Sequence, residues 1–102
     1  MPAYVVVDVE VVDAKAYEEY RAKAPATIAA AGGRYLVRGG AVTHVEPGWD
    51  PHRFVILEFP SVAAAKAWYA SPEYQKILPI RLRTTTSRMM FVEGIDPTKP
   101  LP

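Results

Sequence analysis

The chain has 102 residues, half of them apolar, with a net charge of +1 and no cysteine. That length fits one domain with a real core. The missing thiols exclude disulfides, thiolate nucleophiles, iron–sulfur clusters and cysteine-held zinc.

The near-neutral balance gives no electrostatic case for nucleic acid or a membrane surface. No charged start precedes a long apolar run, and no stretch approaches the roughly 20 apolar residues of a membrane span. The composition predicts a soluble, cytoplasmic protein.

Tyr4 to Val12 reads as the first strand, because branched side chains dominate it and acids alternate with them. Val5, Val7, Val9 and Val11 share one face; Tyr4, Val6, Asp8 and Glu10 share the other. Asp13 is placed to cap a helix that runs to about Ala31. Tyr17, Tyr20, Ala24, Ile28 and Ala31 form its buried stripe, while Glu18, Glu19, Arg21 and Lys23 lie mainly outside. Pro25 predicts a kink or a division of that helix. Gly32 or Gly33 supplies a left-handed cap.

Arg34 to Arg38 is the second strand, set between two glycine pairs. It is expected to resume after Gly39 and Gly40 as Ala41 to Val45, with the glycines at a bulge. Glu46 to Pro51 is a turn-rich loop, and Arg53 to Phe59 is the third strand. Ser61 caps a helix over Val62 to Ala70, with Val62, Ala65, Trp68 and Tyr69 inward. Ser71 and Pro72 restart a further helical segment, on which Tyr74, Ile77, Leu78 and Arg81 share a face. Ser87 to Glu93 is the fourth strand.

Residues 1–95 thus read as a single domain, and residues 96–102, with three prolines, as a loose tail. The order is that of an α+β, ferredoxin-like βαββαβ unit: an antiparallel four-stranded sheet with helices on one side.

Strict alternation assigns Val5, Val7, Val9, Val55, Leu57, Phe59, Met90 and Val92 to the helix-covered face. The other face receives Tyr4, Val6, Phe54, Ile56, Leu36, Met89 and Phe91, together with Asp8, Glu58 and Arg38. No helix remains to cover it. Each large apolar side chain left in water forfeits ~1.5–3 kcal/mol. A twofold homodimer covers such a face with one self-complementary patch.

Arg34 and Arg38, on one side of their strand, are then expected to pair with Asp8 and Glu58 inside the closed assembly. The plain reading is an ionic network that sets how two subunits meet. The sharper one is an anchor for a bound organic acid or carbonyl compound.

His44 and His52 are the only histidines, and both flank the loop. Either can be a general base or, with Asp8 or Glu58, a metal ligand. No ligand-like spacing supports a metal, and no motif supports haem at His44. Trp68, Tyr69 and Tyr74 either pack the core or wall a pocket in which tyrosine hydroxyls orient a ligand. Arg81, Arg83 and Arg88 form a basic run that reads first as solvated surface; the alternative for Arg81, which shares the face of Tyr74, is to reach a carboxylate.

The glycine pairs match neither the dinucleotide fingerprint nor the Walker spacing, and no serine triad is present. No cofactor and no metal are predicted. An RNA-recognition domain has the same element order. Its basic-aromatic motif is missing here, and carboxylates at Asp8, Glu10, Glu58 and Glu93 oppose phosphates. Arg38, Tyr69, Tyr74 and Arg81 are therefore the candidate substrate-binding residues, with Glu58 as candidate proton acceptor. The alternative is a non-catalytic, structural dimer.

Gly32–Gly40, Val55–Ser61, Ala67–Gln75 and Val92–Gly94 together resemble the bacterial family called domain of unknown function 1330, over nearly the whole of Tyr4 to Gly94. The resemblance implies a ferredoxin-like protomer in a dimeric α+β barrel, similar to small monooxygenases, lactone isomerases and chlorite-dismutase-like proteins. It implies no reaction and no catalytic residue.

Overall fold

A computed structural model describes all 102 residues. The elements are β1 (Ala3–Val11), α1 (Ala14–Ala30), β2 (Arg34–Arg38), β3 (Arg53–Phe59), α2 (Val62–Ala70), α3 (Pro72–Thr84) and β4 (Thr85–Glu93). All strand pairs are antiparallel, and the sheet order is β2-β3-β1-β4. This is the ferredoxin-like α+β arrangement.

Local chemistry fixes the element ends. Asp13 accepts a hydrogen bond from the Ala16 amide at 3.1 Å and caps α1. At the other end Gly32, with φ +84, donates to Ala29 and Gly33 donates to Ile28, which closes a Schellman motif. Ser61 accepts from Ala64 and starts α2. Ser71 ends α2 and caps α3 through the Tyr74 amide, with Pro72 in the first turn. The helix α1 is continuous through Pro25 and is not divided there.

The core lies between the helices and one sheet face. Val5, Val7, Val9, Val55, Leu57 and Phe59 meet Tyr17, Tyr20, Ala24, Ile28, Trp68 and Tyr74. Their burial, at roughly 25 cal/mol per Å² of apolar surface, holds the helices on the sheet.

Two strands depart from simple alternation. In β4, Val5 pairs with Phe91 and Val7 with Met89. Met89 and Phe91 therefore pack against the core, and Met90 (59% exposed) and Val92 face away. This reverses the parity expected for these four residues. Both alternating sets of β4 are apolar, so only its register against β1 selects the buried one.

In β2, Tyr35 pairs with Leu57 and Val37 with Ile56, which leaves Leu36 as a bulge. One extra residue inverts the strand's faces. Arg34 stays beside Glu58 on the open face, whereas Arg38 turns to the helix side. The expected Arg34–Arg38 face is thus split, and the irregularity sits at Leu36 instead of the glycine pair. Ala41 to Val45 form no strand; residues 39–52 are a long loop, and Trp49 packs edge-on against Phe54 at 5.4 Å.

Candidate functional site

Where α1 crosses the sheet, packing is incomplete. A cavity of about 30 Å³ opens between Tyr17, Tyr20 and Ala24 of α1 and Val7, Val9, Val55 and Leu57 of the sheet. Tyr35, Trp68 and Met89 close its sides. Four arginines complete the wall: Arg21, Arg38, Arg53 and Arg81. No carboxylate and no histidine line it.

Arg81 is the deepest of these, at 4% exposure. Its Nε donates to the Tyr74 hydroxyl at 3.2 Å and its Nη1 to Ser87 Oγ at 2.6 Å. Tyr74 in turn shares a 2.8 Å hydrogen bond with the Tyr20 hydroxyl. A buried guanidinium is normally held by a carboxylate, because uncompensated burial of charge is expensive. Arg81 has only neutral hydroxyl partners, and none of the chain's ion pairs includes Arg38, Arg53 or Arg81. The cleft is consequently electropositive.

Burial raises the Tyr20 hydroxyl far above its ordinary pKa, and its neighbour Tyr74 adds to the effect. Burial also raises Tyr74, against the opposing pull of Arg81. These phenols stay protonated and serve as hydrogen-bonding groups, not as bases.

Register places the arginines along one line. Ser87 pairs with Val9, and Val9 pairs with Arg53. Arg81, seated on Ser87, and Arg53 therefore flank Val9 from opposite sides, with strands ~5 Å apart. Arg38, opposite Val55, lies next to Arg53 on the β2 side. Its Nη2 donates to the Arg21 carbonyl at 2.9 Å, and its guanidinium lies 4.8 Å from the Tyr35 ring centre.

The structure thus brings Arg38 and Arg81 to one cleft, with Tyr74 fully buried behind it and hydrogen-bonded to Arg81 and Tyr20. Tyr69 lies beside it, in edge contact with Phe91 and packed on Tyr74, facing a shallower apolar cleft along Met89, Met90 and Phe91. Glu58 sits on the other side of the sheet. Arg34 Nε and Nη2 both reach its Oε1 at 2.8 Å. Glu58 therefore faces away from Tyr74 and Arg81.

Asp8, also on the open face, accepts from the His52 amide at 2.8 Å. The His52 ring lies 3.6 Å from Asp8 and 3.4 Å from Glu10, and His44 lies 3.4 Å from Asp50. No group of three such side chains converges as a metal site.

Arg53, Arg21 and Tyr20 were not singled out by sequence reasoning as site residues. Arg53 was legible, since it shares parity with Val55, Leu57 and Phe59. Arg21 was not, because its place on the outer side of α1 reads as solvent.

The fold is similar to several solved structures. One is a protein of unknown function from Rhodopseudomonas palustris, at 22% identity and TM-score 0.73, covering 94% of this chain and 84% of that one. Another is described as a dimeric ferredoxin-like protein of unknown function from Jannaschia, at 17% identity and TM-score 0.68, covering 92% and 100%. A third is SnoaB, a cofactor-independent oxygenase from Streptomyces nogalater, at 16% identity and TM-score 0.60, covering 97% and 98%. At these identities the likeness is one of fold. No curated protein matches the chain. The family model "Domain of unknown function (DUF1330)" matches residues 2–95, and the chain belongs to that family.

Proposed function

We propose that the protein is a cytoplasmic homodimeric α+β barrel that binds a small organic anion in the cleft between α1 and the sheet. One observation carries this reading: four arginines line an apolar cleft that contains no carboxylate. Arg38, Arg53 and Arg81 have no internal counter-charge and are suited to an external one, since the guanidinium fork matches planar oxyanions. Tyr20 and Tyr74 supply hydroxyls that hold Arg81 in place.

The uncovered sheet face supports the dimer. Val6, Ile56, Val37, Met90 and Val92 meet in register there, and no helix lies over them. The Jannaschia protein, described as dimeric, is consistent with that reading. The Arg34–Glu58 pair on this face favours a structural role for Glu58, as part of an ionic contact that orients the two copies.

A thermal-shift screen with small carboxylates and enolisable carbonyl compounds tests the binding. Wild-type protein is expected to melt at higher temperature with at least one such anion. Arg81→Gln is expected to lose that shift. A panel that leaves the melting temperature unchanged refutes the cleft as a ligand site. Light scattering reads the dimer independently.

A further inference from the structure

Resting on that reading of the cleft, we infer that Arg53 is the residue that receives the ligand's charge, and that the ligand is an aromatic anion, a ring bearing a delocalised negative oxygen group. The other inner arginines are already engaged. Arg81 donates to Tyr74 and Ser87, and Arg38 donates to the Arg21 carbonyl and lies on Tyr35. Arg53 Nε is buried and has no hydrogen-bond partner. Leaving a buried donor unmet is unfavourable, the more so on a cation. A ligand oxygen at that point removes the deficit.

The backbone is shaped around this side chain. Gly39 has φ +69, and its amide donates to Phe54 at 2.8 Å. A methyl group at Gly39 would lie 2.7 Å from Arg53 Nη1. Glycine there gives the guanidinium its berth beside the cleft. The ring-accepting walls come from Tyr17, Tyr20, Tyr35 and Trp68, which favour a flat, polarisable body over a saturated one.

At about 30 Å³ the closed cleft has no room for a ring. Arg38 spans from β2 to α1 across its outer side by one solvent-exposed hydrogen bond. Admitting a ring requires that bond to release, which makes Arg38 the clasp and Arg53 the anchor in this proposal.

Isothermal titration of the full chain tests this with benzoate and para-nitrophenol as aromatic probes and cyclohexanecarboxylate as the saturated comparator. Benzoate or para-nitrophenolate is expected to bind about tenfold or more tightly than cyclohexanecarboxylate. Arg53→Gln and Arg53→Lys are expected to weaken aromatic binding about tenfold, the equivalent of one charge-assisted hydrogen bond. Arg34→Gln, on the other sheet face, is expected to leave it unchanged. The visible absorbance of para-nitrophenol separates the two sources: a shift toward the phenolate on binding marks a phenolate site, and binding of benzoate alone marks a carboxylate site. Equal affinity for cyclohexanecarboxylate and benzoate overturns the aromatic class while the anion-binding cleft stands. Full binding by both folded Arg53 variants overturns the anchor. No binding of any probe overturns the cleft reading itself.

Discussion

Pro25 and Arg38 are linked through one carbonyl group. The Arg21 carbonyl would normally accept the amide of residue 25, but proline has no amide hydrogen. Arg38 Nη2 fills the vacant acceptor at 2.9 Å. The helix thereby runs through its proline, and a strand is fastened to a helix over the cleft.

Pro25→Ala should restore the helical hydrogen bond and release Arg38. An interior proline costs ~3 kcal/mol. Loss of the Arg38 bond, ~1 kcal/mol, and greater freedom of the unfolded chain offset part of that gain. A net stabilisation of about 1 kcal/mol is expected in urea unfolding. Arg38→Ala should cost about 1 kcal/mol in the Pro25 protein and close to nothing in the Pro25→Ala protein. Equal costs in both backgrounds would break the proposed link.

Ile56 sits at the centre of the open face, in register with Val6 and Val37. Ile56→Arg places an unpaired charge where the second copy is proposed to pack. That penalty is ~3–5 kcal/mol, or a weakening of association by about 100-fold or more. Sedimentation velocity should report folded monomers at concentrations where the parent protein is dimeric. An unchanged dimer would show that the copies meet elsewhere.

Tyr20 and Tyr74 make stability depend on alkaline pH. Both pKa values are raised in the folded chain by burial. The unfolded chain releases these protons near pH ~10, while the folded chain retains them. Above that pH the folded state holds more protons, so stability falls as pH rises. Their contribution is fully present below pH ~10; the slope reaches ~1.4 kcal/mol per pH unit for Tyr20, and Tyr74 adds to it with the same sign. Unfolding free energies measured between pH ~9 and ~11 should show this decline, and Tyr20→Phe should make it shallower.

Gly33 faces the Phe59 ring so closely that a methyl group would lie 2.5 Å from it. Phe59 is fully buried, so the ring has little room to retreat. Gly33→Ala is expected to destabilise the fold by ~1–3 kcal/mol. A chemical-denaturation midpoint equal to that of the parent would contradict this packing.

The element order was legible because each helix and strand carries its own local signals. Asp13, Ser61 and Ser71 are capping residues whose side chains accept amide hydrogen bonds where the sequence predicts helix starts. The stripe of Tyr17, Tyr20, Ala24 and Ile28 follows from helical period alone. These features depend on neighbours a few residues apart, so the linear order contains them.

Tertiary pairing decided the rest. Alternation in β4 is apolar in both phases, and only hydrogen-bond register with β1 buries Met89 and Phe91 in place of Met90 and Val92. The bulge at Leu36 has no local marker, yet it moves Arg38 to the opposite face from Arg34. With Arg38 beside Arg53 and Arg81, three cations from distant parts of the chain come to line one cleft. That convergence depends on strand register, a long-range property that no short stretch of residues specifies.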